Sequence, residues 1–138
     1  MAKFNLLIFL LFCITSIHAQ PTMSASRAER KLVKQDWLIK GKKVSLGHGA
    51  SCKNEITLHF ESFNINQVII KECSHGVVKT ITSEWKITKK SNDLILTMPD
   101  YGGDYQLKFK TIDDAPFMRL RKFAENKDEF TEDLLFSN

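Results

Sequence analysis

The chain has no run of Lys or Arg longer than two residues; Lys42-Lys43 and Lys89-Lys90 are typical, although 138 residues carry a formal net charge of +4. Acidic and basic residues alternate throughout, so the excess describes a solvated mixed-charge surface rather than a footprint for nucleic acid. Catalytic signatures are missing as well. There is no Gly-x-Ser-x-Gly elbow, no His-Glu-x-x-His and no phosphate loop, so no enzyme class is selected and no cofactor is implied. No long helical pattern appears, which removes the crossover helices that a parallel sheet requires. Repeats and low-complexity tracts are absent. Only one long apolar run exists, and one of the three cysteines lies inside it.

That run opens the chain: MAKFNLLIFLLFCITSIHAQ places Lys3 before an apolar stretch from Phe4 to Ile14 and ends on the small residue Ala19. This is the layout of a secretory signal peptide over residues 1–19. The run is too short for a hydrocarbon core about 30 Å thick, which needs roughly 20 helical residues, and no second segment follows. No membrane span is therefore expected after cleavage. Cys13 follows Leu11 and Phe12, not the small residues that precede a lipid-attachment cysteine. The mature chain begins at Gln20 and is expected to be secreted or periplasmic. Loss of Lys3 takes the charge from +4 to +3, since no other charged residue precedes Gln20.

Residues 20–35 read as a short helical segment. Ser24 is placed to cap it, and Ala25, Ala28, Leu32 and Gln35 recur at helical spacing. From residue 36 to 138 the period changes to two. Trp37 and Ile39 mark a first strand; Ile56, Leu58 and Phe60 a second; Gln67 to Cys73 a third, whose inward face is ambiguous because Val68, Ile69 and Ile70 are all apolar. A fourth carries Ile81, Ser83, Trp85 and Ile87 on one face. Leu94, Leu96 and Met98 give the fifth; Tyr105, Leu107 and Phe109 the sixth; Met118 and Leu120 the seventh; Phe130, Leu134 and Phe136 the eighth. Turn residues at 91–93, 99–103, 113–116 and 126–128 separate the later strands.

Short connections make sequential strands antiparallel neighbours, so the expected fold is all-β, an antiparallel meander of about eight strands with a short N-terminal helix. Closing the sheet removes its edges and leaves an interior that side chains just fill or that holds one small ligand. A two-sheet sandwich is the alternative.

Several of these residues resemble a known family. The Trp entering the first strand, the Cys before the second, Glu84-Trp85-Lys86-Ile87 with Leu94-Ile95-Leu96, Tyr105-Gln106-Leu107 and Met118-Arg119-Leu120-Arg121 are similar to small secreted bacterial lipocalin-like domains. Lipocalins carry Gly two residues before the Trp; here that position is Gln35. The resemblance covers Leu32 to Phe123 and implies a lipocalin-like β-barrel that takes an apolar ligand.

Cys52 and Cys73 flank a hairpin, and in an oxidising compartment an isolated pair forms a disulfide. Closing a loop of about 20 residues would contribute roughly 3 kcal/mol. His48, Cys52, Cys73 and His75 also offer zinc-type ligands, but their spacing fits no standard finger, and no metal is expected. His59 alternates outward from Leu58 and Phe60. The inward set includes Leu58, Phe60, Trp85, Ile87, Leu96, Tyr105, Leu107 and Phe109, with Ile56 and Leu94 beside them. It is either a packed core or the lining of a pocket for a small hydrophobic molecule, with the Trp85 N–H and Tyr105 hydroxyl as orienting donors. The functional expectation is a non-catalytic binding protein. The alternative is a protein-interaction module, such as an inhibitor of an extracellular hydrolase, acting through the loops at 45–51 and 99–103.

Overall fold

The computed structural model describes residues 22–43, 53–74, 76–124 and 129–138. The signal-peptide reading, Cys13, Cys52, His48, His75, the 45–51 loop and the turn at 126–128 lie outside them. A helix, α1 (Ala25–Val33), comes first. Ser24 is extended, and its Oγ accepts the Arg27 amide at 3.3 Å, supplying one of the partners a helix start lacks. Ala28 and Leu32, four apart on one face, are fully buried. At the other end the Trp37 indole N–H donates to the Leu32 carbonyl at 3.1 Å, satisfying a helix-terminal acceptor and tying the helix to the first strand.

Nine strands follow: β1 (Trp37–Lys43), β2 (Lys53–Glu61), β3 (Gln67–Ser74), β4 (Val77–Glu84), β5 (Lys86–Lys90), β6 (Asp93–Met98), β7 (Gly103–Ile112), β8 (Ala115–Phe123) and β9 (Phe130–Ser137). All pair antiparallel in the order β4-β3-β2-β1-β9-β8-β7-β6-β5. The two end strands, β4 and β5, are consecutive in the chain and separated only by Trp85. The ladder therefore runs round and returns to the stretch of chain it left, and the sheet curls as an all-β, barrel-like meander. Its first and last strands meet at one register pair, Leu38↔Ser137.

The expected fourth strand is corrected to two. Residues up to Glu84 pair with β3, ending at Gln67↔Glu84; from Lys86 the chain pairs with β6, starting at Lys86↔Thr97. At the change of partner the Trp85 amide donates to Asn66 O, 3.1 Å away in the β2–β3 turn. Direction is kept while the neighbour changes, so Ser83 and Trp85 are both buried inward and Ile81 and Ile87 pack against the same core.

Alternation elsewhere follows the expected faces. In β3 the ambiguity resolves to Val68 and Ile70, which are buried. Phe130 opens the last strand, as expected, but lies off the inward row. A register shift between Lys122 and Phe123 pairs Phe123 with Phe130, and the Phe130 ring lies against Phe123 (5.2 Å between centroids) and under the Arg121 guanidinium (4.0 Å). Leu134 and Phe136 keep the inward face. Turns fall at residues tolerant of positive φ: Asn64, Ser91, Asp113, Asp114, Gly102 and Gly103. Among the described residues no helix is long and apolar enough to cross a membrane.

Candidate functional site

The expected ligand-lining set is brought together in one cluster. Leu58, Phe60, Trp85, Leu96, Tyr105 and Leu107 are buried, and Ile87 and Phe109 are half-buried against them. Leu58, Ile70, Leu96, Met118, Leu120 and Phe136 keep no solvent-accessible surface, so no void large enough for water touches them. The middle of the barrel is filled by its own side chains. Trp85 is edge-on to Phe60, and its indole N–H is shared between the carbonyls of Glu61 and Gln67, both at 3.1 Å. Its donor is committed to the protein itself.

The ring has two unlike ends. At one, α1 covers the core with Ala28 and Leu32, and Trp37 lies behind it. At the other, the inward rows turn polar together: Val68 and Ile70 lead to Glu72, Met118 and Leu120 to Lys122, Phe136 and Leu134 to Glu132, and Phe109 and Leu107 to Tyr105. Register fixes the neighbours, since Tyr105 pairs with Lys122, and Lys122 with Glu132. On the other side Glu72 pairs with Lys79. Tyr101, in the β6–β7 turn, reaches Glu72 on β3 and donates its hydroxyl proton to Oε1 at 2.6 Å.

Both phenols are held neutral. Burial, then the Glu132 and Glu72 carboxylates, push Tyr105 up to about 12. Burial and the bond to Glu72 raise Tyr101 further. Tyr105 makes no hydrogen bond among the described residues, so its O–H is a donor in waiting at the barrel mouth. Gly102 allows the close approach: at φ +79° it sits where a Cβ would overlap the Tyr105 hydroxyl, with Lys122 Nζ beside it. Tyr105 was legible as an inward residue. Glu72, Lys122 and Glu132 were not singled out, although the shared switch from apolar to polar at one end of their rows was the signal. Tyr101 carries no periodic signal because it lies in a turn.

The remaining candidates lie elsewhere. His59 is exposed on the outer face, with Nδ1 bonded to Asp36 at 2.5 Å and Nε2 3.4 Å from Glu61. The Asp36 bond raises its pKa above 6.5, supported by both carboxylates and opposed by partial burial. Cys73 lies near the end of β3, in register with Glu55, two residues past the start of β2. Of the zinc-type set only Cys73 is described, and among the described residues no His, Cys, Asp and Glu side chains group as metal ligands. Comparisons with protein-family models, with curated proteins and with solved structures each return no match.

Proposed function

We propose that the protein is an exported, non-catalytic binding domain of lipocalin-like type that takes a small, largely apolar molecule with a polar head at the mouth of its barrel. The observation that carries this reading is the mixed cluster of Glu72, Tyr101, Tyr105, Lys122 and Glu132 standing on a closed apolar floor. Such a site suits a ligand that seats its apolar part above Tyr105 and presents its head to the phenol and the ammonium. A packed middle limits the depth of entry, so the guest is small and mouth-bound. A Cys52–Cys73 disulfide belongs to the proposal: Cys52 immediately precedes β2, and Cys73 ends the adjacent ladder.

Native mass spectrometry of protein purified from its own host tests it. A co-purifying small mass, lost in Tyr105→Phe together with Lys122→Ala, is the expected result. A bare chain whose mouth resonances ignore fatty acids and other amphiphiles sinks the reading.

One observation favours the interaction-module alternative. In the β2–β3 turn Phe63 is 87% exposed and Ile65 62%, yet the turn is held from below by Trp85, which donates to Glu61 O, Gln67 O and Asn66 O. A rigid tip presenting two apolar side chains loses little entropy on docking. Phe63→Ser would abolish partner binding if this tip is the contact; a partner retained by that variant excludes it.

A further inference from the structure

We infer that the open edge of β4 pairs with the same strand of a second copy of the chain, so that two sheets continue into one another across a two-fold axis at Thr80. The edge exists because the chain changes neighbour at Trp85: residues up to Glu84 pair with β3, and from Lys86 the pairing passes to β6. The second side of β4 is thereby left without a strand. The β6–β7 turn reaches it only at the Ser83 end, where the Asp100 N–H donates to Ser83 Oγ at 3.1 Å. From Val77 to Thr82 every residue except Ile81 is exposed, Val77 at 67% and Val78 at 63%.

The ladder to β3 fixes which backbone groups this edge offers. The Trp85 amide donates to Asn66 O on the β3 side, and in an antiparallel ladder with no register shift every second residue before it, Ser83, Ile81, Lys79 and Val77, bonds to that side as well. The N–H and C=O groups of Val78, Thr80 and Thr82 therefore point away from β3. Among the described residues no partner bonds them. Such a row of donors and acceptors is a template for an extended strand.

The edge fits its own copy. A two-fold axis normal to the sheet sets one residue opposite itself. With Thr80 there, Thr80 exchanges both of its bonds with its counterpart, Val78 faces the second copy's Thr82, and Lys79 faces the second copy's Ile81. Centring on Lys79 would oppose two ammonium groups, and centring on Ile81 would run Val78 into the end that the β6–β7 turn occupies. The usual guards of an edge are missing: β4 has no Pro and no bulge, and its single Lys is in register with Glu72 on β3. Pairing β4 with β4 uses the same edge of both copies, so the assembly closes at two.

Sedimentation of the full chain over a concentration series, with amide hydrogen exchange read by NMR at both ends of the series, tests the inference. A monomer–dimer equilibrium is expected, in which the Val78, Thr80 and Thr82 amides exchange about tenfold or more slowly in the dimer, while Lys79 and Ile81, already bonded to β3, change less. Thr80→Lys, an exposed change that sets two ammonium groups across the axis, should weaken association about fivefold. Thr80→Pro, which removes an N–H that β3 does not use, should abolish it. Phe63→Ser and Tyr105→Phe should leave it unchanged, which separates this edge from the tip and from the mouth. A dimer indifferent to both Thr80 changes, a dimer whose Val78, Thr80 and Thr82 amides exchange as in the monomer, or assemblies that keep growing with concentration would each overturn the assignment. A chain monomeric to millimolar concentration would overturn it too, and would leave the edge to a strand of another protein.

Discussion

Trp85 stands edge-on to Phe60, with ring planes at 89° and centroids 5.5 Å apart. Its N–H is shared by two carbonyls at the flanks of the next turn. Trp85→Phe keeps an aromatic ring beside Phe60 but removes that donor, and should destabilise the fold by about 1–2 kcal/mol. Trp85→Ala should cost about 3–5 kcal/mol because the ring is lost as well. Chemical denaturation measures both, and a Trp85→Phe variant as stable as the wild type would show that the hydrogen bonds contribute nothing.

A filled interior makes a distinct forecast. Leu96→Ala and Leu120→Ala should each cost about 2–5 kcal/mol, the range for large-to-small changes in close-packed cores. Losses well below that range in both would mean the barrel holds open space around these residues.

Gly102 and Gly103 share a positive φ, but only Gly102 faces an obstacle. Gly103→Ala should cost about 1 kcal/mol of backbone strain. Gly102→Ala should cost roughly 1–3 kcal/mol and also displace Tyr105, visible as a shift of its ring resonances. Matching behaviour of the two variants would count against the close approach of the phenol.

His59 predicts a pH dependence of known sign. Its pKa is raised in the fold, first by the Asp36 hydrogen bond. The imidazolium is therefore favoured in the native state. This contribution is complete below the unfolded value of about 6.5 and fades as pH rises through the higher folded value. Asp36→Asn should lower the NMR-titrated pKa of His59 and flatten the stability profile across that window. An unchanged titration would deny the pairing.

The proposed Cys52–Cys73 bridge predicts an intact mass two hydrogens below that of the reduced chain. Reduction should lower stability by about 3 kcal/mol, in line with the entropy of a loop of about 20 residues. Two free thiols in the purified protein would remove the bridge.

Alternation made much of this architecture readable. Ile56-x-Leu58-x-Phe60 and Leu94-x-Leu96-x-Met98 lie on one face because strands repeat every two residues. Val68, Ile69 and Ile70 defeat that rule, since three apolar neighbours name no face; only pairing with Phe60 and Leu58 selects Val68 and Ile70. The change of partner at Trp85 was hidden for another reason: periodicity records which way a side chain points, not which strand lies alongside. Phe130 belongs to the last strand as read, but the local register shift beside Phe123, which changes faces without changing composition, takes it off the inward row. The mouth cluster was partly visible in Tyr105, but convergence of its charged members depends on the register of five strands.

The Leu38↔Ser137 pair has a consequence for the order of assembly. Each hairpin can form from residues close in sequence, yet the two halves of the sheet join only when the second residue of β1 meets the last residue of β9. Until then β1 and β9 each present an unpaired edge. The β1–β9 seam thus joins two groups of strands, β1 to β4 and β5 to β9, whose other ladders are all between neighbours in sequence.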